Sequence, residues 1–453
     1  MFYAYEQQNQ DVVAGRQSLW FVLFAVLAAW ALRLVVVGFV YRGFLDPERN
    51  NWLFGFEVGS IARSIASGHG FANPFWVPSG PTAWVTPVYP YVVAGIFSLF
   101  GIQTKAAAFA ILTLNSLLSA LTCIPIFFVA KRTLGASVAR VAVLMWALFP
   151  YSIFFSANSM WYHSLLALEV ATLFLLSLLL ADTDAIRPWV AFGVLLGVAT
   201  LTNPVVLAGL PALLGWPCYL RWRSGKKHGV RFLIASLLTV LTVTPWVVRN
   251  LRTFPKAVFL KDNFWIEVAV GNVGNDIHWW NGSLHPAGNI DEIKSLQDLG
   301  EIGYLNIKRQ RAATFVREHP MVFLLRSCRR MVYFWTGYWS LSREYLQQEP
   351  MDPWNMVVCT SYSLLVLLGL SRLLRQEPKT AAPFLLLLLV YPLVYYVTHP
   401  EFSYRLPLDT LGVIFAAYFV VSVHRARNVR EADAEPVGLA PLPELESAIA
   451  TEA

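Results

Sequence analysis

An all-α fold, a polytopic bundle of about ten membrane-spanning helices with surface helices in two long outer loops, is predicted by three features of this 453-residue sequence. Hydrophobic residues make up 56% of it and charged residues only 14%, and the mean hydropathy of +0.51 lies well beyond that of a soluble domain. Apolar runs near the ~20 residues needed to cross ~30 Å of hydrocarbon recur along the chain. Between them, Lys and Arg collect in alternate short connections.

The runs fall at 19–41, 106–130, 138–157, 163–181, 188–202, 205–220, 231–248, 354–372, 382–397 and 405–423. The first is too long for a cleaved leader, holds Arg33 and lacks a small-residue exit, so it stays as a helix. The fifth and sixth are short and meet at Thr202-Asn203-Pro204, which predicts a tight helical hairpin. With the N-terminus inside, Lys131, Arg132, Arg140, Arg187, Arg221, Arg223, Lys226, Lys227 and Arg231 are cytoplasmic, as are the basic residues near 375 and 427. Arg405 alone falls in a short outer connection, which orients both termini toward the cytoplasm. The net charge of +7 therefore belongs to membrane topology and does not point to nucleic acid.

Five segments result: a cytoplasmic N-terminus (1–18), a first transmembrane module (19–248) with outer loop 42–105, a long outer loop (249–353), C-terminal membrane helices (354–423) and a tail (424–453). The tail is acidic and rich in Ala and Pro, the composition of a disordered cytoplasmic segment. Two further apolar stretches, 88–100 and 320–339, are placed on the outer surface. The first is too short to span, and the second carries Arg326, Arg329 and Arg330 among aromatics, as an interfacial helix does.

Candidate chemistry gathers on the outer face. In "NWLFGFEVGSIARSIASGHGF" the spacing of Phe54, Val58, Ile61, Ala62 and Ile65 predicts an amphipathic helix over about 55–67 on the membrane surface, ended by Gly68 and Gly70. Its lone acid, Glu57, sits in the first turn, where the helix dipole favours a carboxylate suited to general-base work or simply an ordinary helix-end charge. His163, in the Trp161-Tyr162-His163 corner, reads as a proton shuttle, a hydrogen-bond donor to a phosphate or an interfacial anchor. Arg249 ends the seventh run at headgroup depth, suited to a phosphate or to snorkelling. "THPEFSYRLP" packs His399, Glu401, Tyr404 and Arg405 into one outer hairpin, more ionisable groups than a connection requires. Deeper, Arg33 and Glu169 lie at similar depth and are predicted to pair.

Other chemistries find no support in the sequence. It has no Walker loop, HExxH, GxSxG or CxxC. The four cysteines, Cys123, Cys218, Cys328 and Cys359, are scattered. His278 and His285 lie seven apart with no further ligands in reach of the pattern, so no metal or other cofactor is expected.

Five stretches in order, "FEVGSIARSIASGHGF", "PVYPYVVAGIFSLFG", "LTNP", "TPWVVRN" and "THPEFSYRLP", resemble the GT-C superfamily of membrane glycosyltransferases. The likeness is strongest to relatives of the protein O-mannosyltransferases (glycosyltransferase family 39) and of the lipid A aminoarabinose transferase, and covers roughly 15–425. It implies transfer of a sugar from a polyprenyl phosphate to a hydroxyl on a glycan, lipid or protein acceptor, with inversion, at the outer face of a bacterial inner membrane. By position Glu57 matches the family's essential acid, although many relatives carry Asp or Asp-Glu where this chain has Phe56-Glu57. The second acid that often opens the fourth helix is replaced by Trp161-Tyr162-His163, and the basic residue some relatives carry is absent around Val85-Thr86-Pro87. Donor phosphate contacts are then expected from Arg63, Arg249 or Arg405, and substrate contacts from Tyr162, Asn203, His399 and Glu401. A carrier or flippase for a lipid-linked glycan, or a degenerate member acting as an assembly partner, are the alternatives.

Overall fold

The computed structural model describes residues 2–46, 52–274, 280–338, 340 and 342–434. These are helical almost throughout, and among them a single antiparallel bridge joins Ala72 to Pro81. Among the described residues seven helices are long and apolar enough to span a membrane: Gln17–Val40, Lys105–Leu134, His163–Asp182, Gly229–Thr253, Asp352–Gln376, Pro378–Val397 and Phe402–Asn428. The pair Ala136–Leu148 and Pro150–Asn158, bent by 44°, is together long and apolar enough for a broken span or a re-entrant loop. The chain is thus a multi-pass membrane protein. The remaining two apolar runs are the expected short hairpin: Arg187–Thr202 ends at Asn203, whose side chain caps the next turn by accepting from the Val205 N–H at 3.1 Å. Pro204, Pro211 and Pro217 then break the return path into 3-10, π and α turns, because each removes a ladder donor.

The predicted Arg33–Glu169 pair does not form. Pro150 has no N–H to offer the preceding turn, and the bend at Phe149 leaves the Trp146 and Ala147 carbonyls open to other donors. Buried Arg33 donates to both, at 3.4 and 3.1 Å, and to the hydroxyls of Ser119 (3.1 Å) and Ser152 (2.8 Å). Glu169 instead accepts from the Thr202 hydroxyl at 2.9 Å. A guanidinium with this many oxygen partners needs no carboxylate to satisfy it at membrane depth.

The first outer helix, Glu57–Ala66, does not lie on the surface either. Val58 and Ala62 pack against Tyr89, Val93 and Phe97 of the helix Val88–Phe100, and Ile61 meets Phe71, Leu201 and Trp246. Two packed neighbours bury both faces of a helix whose apolar spacing could be read as one wet and one dry. The long outer loop supplies Phe264–Asn272, Ile290–Glu318, broken at Gly300, the short Arg343–Gln348 and, before that one, Pro320–Thr336. That last helix exposes Met321, Leu324, Leu325 and Met331 while Arg330 turns inward to the Asn272 side chain at 2.9 Å, so part of the predicted interfacial basic cluster is spent inside the protein. The final helix runs to Ala434, beyond the expected boundary at 423, so the start of the predicted disordered tail is helical. The rest of that tail, 435–453, lies outside the described residues.

Candidate active site

The two long loops and the helix ends beside them enclose a cavity of about 1190 Å³. Glu57 enters it from a strained segment: Phe54, Gly55 and Phe56 have φ of 67°, 84° and 50°, three successive left-handed residues of which two carry a Cβ. Such backbone is costly and persists where the surroundings hold it. Here the hold is the close approach of Gly55 to Met160 and Trp161. The strain turns the chain so that Glu57 starts its helix pointing inward, 8% exposed.

Of the residues expected from the sequence, Glu57, His163, Tyr162, Asn203, His399 and Glu401 all line this cavity. Asn203 donates to the Tyr162 hydroxyl at 2.9 Å while its oxygen caps the hairpin, so one side chain both turns the chain and sets a cavity wall. His399 meets Tyr404 at 3.1 Å through Nε2 and Glu267 at 3.5 Å through Nδ1. His163 is buried, its ring stacked on Trp161 at 8°, and its Nδ1 has no hydrogen-bond partner.

The three expected phosphate ligands are not brought there. Arg63 is in the last turn of its helix, away from the cavity lining. Arg249 donates to the Phe71 and Thr82 carbonyls, both at 2.7 Å, and lies over the rings of Trp246 and Phe71. Arg405 pairs with Asp409 at 3.0 Å and donates to the Trp335 carbonyl at 2.8 Å. Each of the latter two ties non-local backbone together, a demand that sequence spacing does not reveal. Arg249→Ala is accordingly expected to loosen the 71–82 loop. Limited proteolysis of purified protein should show faster cleavage within that loop, whereas unchanged cleavage with weakened donor binding would restore the phosphate role.

Residues not anticipated complete the wall. Lys261, Asp262 and Glu267 come from the long outer loop, and His285 stands beside Glu57, Nε2 to Oε1 at 4.0 Å. His285 Nδ1 accepts from the Ala287 N–H at 3.0 Å, which leaves the ring proton on Nε2, facing the carboxyl. Burial pushes this imidazole down to about 3, so it stands beside Glu57 as a neutral ring rather than an ion-pair partner. Burial likewise holds His399 down at about 3. The carboxyls move the other way: desolvation, with mutual repulsion among them, raises Glu57 to about 8 and Glu267 to about 7, and desolvation raises Glu401 to about 7. Burial thus outweighs the helix-dipole effect that sequence reading assigned to Glu57. Lys261 is lowered by desolvation, opposed by Glu267 and Glu57.

The signal for Glu267 is present in the sequence. "FWIEVAV" holds a lone acid in an apolar, aromatic-led run, as "FGFEVGS" does around Glu57. Gly271, four residues on, lets this helix touch the hairpin that carries His399, because a Cβ there would overlap the Thr398 carbonyl.

The arrangement of helices in this chain is similar to that of a solved membrane oligosaccharyltransferase. It overlays on the archaeal oligosaccharyltransferase AglB from Archaeoglobus fulgidus in complex with an inhibitory peptide and a dolichol-phosphate, with a TM-score of 0.53 at 13% identity over 94% of this chain and 52% of that one. The same enzyme tethered to an acceptor peptide containing the NVT sequon overlays at 0.51, with 13% identity over 93% and 51%. The chain spans about half the length of these structures. Within the fold, residues 84–248 match the dolichyl-phosphate-mannose-protein mannosyltransferase family. No curated protein matches the sequence.

Proposed function

We propose that this protein transfers a sugar from a polyprenyl phosphate to an acceptor hydroxyl on the outer face of a bacterial inner membrane, with inversion. The observation that carries this reading is the cavity itself, where a buried acid on strained backbone faces a lysine and an aromatic wall inside a GT-C fold. The apolar residues Phe154, Pro204, Val205 and Ala208 on the same cavity suit the first isoprene units of a lipid donor. The family matched by residues 84–248 carries dolichyl-phosphate-mannose in its name, which favours a lipid-linked monosaccharide.

In the proposed step the acceptor oxygen bonds to sugar C1 as the bond from C1 to the phosphate oxygen breaks. Its electron pair leaves with the polyprenyl phosphate, and the acceptor proton passes to the Glu57 carboxylate. Lys261, the ammonium electrostatically coupled to Glu57 and Glu267, takes the role expected of the three arginines and offsets charge on the departing phosphate. A carboxyl held near 8 is a stronger base than an ordinary one once ionised. Transfer should therefore rise with pH through that region.

The test is mass spectrometry of polyprenyl-phosphate sugars and envelope glycans from cells lacking the protein, restored with wild type. One lipid-linked monosaccharide should accumulate and one glycan should lose that sugar, both reversed on restoration. Unchanged lipid and glycan profiles on deletion would reject the transferase reading.

A further inference from the structure

We infer that His285 is a positioning residue for Glu57. Its ring, locked between the two long loops, holds an Nε2–H toward carboxyl oxygen Oε1, donates to that oxygen once Glu57 ionises, and leaves Oε2 to meet the acceptor hydroxyl. The inference rests on Glu57 being the base of the proposed transfer, and it names a residue outside the stretch 84–248 that the matched family covers.

The backbone fixes which ring nitrogen carries the proton. Nδ1 accepts from the Ala287 N–H at 3.0 Å, so the hydrogen of the neutral ring sits on Nε2, 4.0 Å from Glu57 Oε1. That separation exceeds a hydrogen bond by about 1 Å, the kind of gap that catalytic contacts close as the reacting complex forms. An ionised carboxylate draws the donor in, and the resulting charge-assisted bond is stronger than one between neutral groups.

The ring has little freedom to point elsewhere. Phe75 and Trp84 of the first long loop stand edge-on to it, at 5.8 and 5.6 Å between centroids, and Trp280 of the second closes a third side at 5.3 Å. The Trp84 N–H is itself held by the Thr82 hydroxyl at 3.0 Å. Behind the ring, the Gly288 and Asn289 N–H groups both donate to the His285 carbonyl, at 3.0 and 3.1 Å, and the Asn289 side chain donates to the Ser283 carbonyl at 2.9 Å. Asn281 anchors the turn to the helix that carries Glu267, its N–H donating to the Val270 carbonyl at 3.0 Å. Backbone and ring of His285 are both committed, and the direction left to its N–H is the carboxyl.

A residue that only filled this aromatic box would serve as well if it were phenylalanine. Imidazole adds an N–H. Around Glu57 stand also Lys261, Glu267 and Glu401, with the Tyr162 and Tyr404 hydroxyls. Two of these are acids that repel a further negative charge, and Lys261 is engaged with the phosphate in the proposed step. The His285 N–H offsets that repulsion at the oxygen it faces.

The experiment reads the titration midpoint of Glu57 directly, without substrate. The purified full chain in detergent micelles is treated across a pH series with a carbodiimide, which attacks protonated carboxyls, and labelling of Glu57 is followed by peptide mass spectrometry. His285→Phe fills the box but has no N–H, whereas His285→Gln carries an amide N–H at the reach of Nε2 but no ring. Phe should raise the midpoint by about one pH unit, a tenfold loss of ionised Glu57 at fixed pH, and Gln should keep it near wild type. A packing role alone predicts the opposite order. Gly288→Ala leaves the ring in place but moves its loop, because the added Cβ would lie 2.5 Å from the Gly282 carbonyl oxygen, and it should raise the midpoint too. An unchanged midpoint in His285→Phe or, where that variant does not fold, in Gly288→Ala would overturn the inference, as would a Gln variant displaced as far as Phe. Transfer is measured separately on vesicles, where kcat should fall in His285→Phe with KM kept and its rise with pH should move with the midpoint. Shifted midpoints without transfer in wild type retire the transferase reading and leave the Glu57–His285 contact standing, whereas transfer with unshifted midpoints does the reverse.

Discussion

Glu57→Gln is expected to lower sugar transfer by about 10²- to 10⁴-fold, the range for loss of a general base, without loss of the folded state. Gln keeps the size and hydrogen-bonding shape of the side chain but accepts no proton. The stability of the variant is as informative as its activity. Burial raises the Glu57 pKa to about 8 from an unfolded value near 4.5. Between those values the folded state binds a proton that the unfolded state releases, so the stability contributed by this group falls as pH rises from about 4.5 to about 8 and stays lost above. Gln removes that penalty, and the variant should equal or exceed wild type in thermal stability at pH 8.5, with a smaller difference at pH 5. Lipid-linked sugar that still turns over normally in Glu57→Gln vesicles would remove the base assignment. A variant less stable than wild type at pH 8.5 would show that the carboxyl is held by contacts stronger than its desolvation.

Gly55→Ala carries the second large effect. At φ 84° a Cβ is strained whatever surrounds it, and here it would overlap the Met160 carbonyl oxygen and sit 3.3 Å from the Met160 carbonyl carbon. Backbone cannot swing aside as a flexible side chain does. The segment must shift, and Glu57 shifts with it, so transfer and melting temperature should fall together. Gly38→Ala and Gly95→Ala serve as controls, since nothing lies within 4 Å of either added methyl. Wild-type stability and activity in Gly55→Ala would mean that the left-handed run before Glu57 is incidental to the site.

The spans and six polar residues of the cavity lining were legible because both follow local rules. An apolar run near the thickness of a bilayer must satisfy its own backbone hydrogen bonds, so it is a helix wherever it sits. Glu57, Tyr162, His163, Asn203, His399 and Glu401 stood out as polar groups at outer helix ends, and the fold collects all six. The arginines were misplaced for the opposite reason. Arg249 and Arg405 look like free cations in the sequence, yet each finds carbonyls or a carboxylate far away in the chain. Arg33 finds its partners across 86 to 119 positions.

By itself, then, the sequence determined the membrane class, the order of helices, the tight hairpin at Asn203 and the lone acid ahead of the first outer helix, because hydropathy, proline and helix-end chemistry act within a few residues. Tertiary structure alone decided which charges are free to meet a ligand and in which protonation state. Burial raised Glu57 where its local position favoured ionisation, and packing brought Lys261 and Glu267 in from a loop whose spacing says nothing of geometry. Desolvation and long-range partners depend on the whole fold, and no window of neighbouring residues contains them.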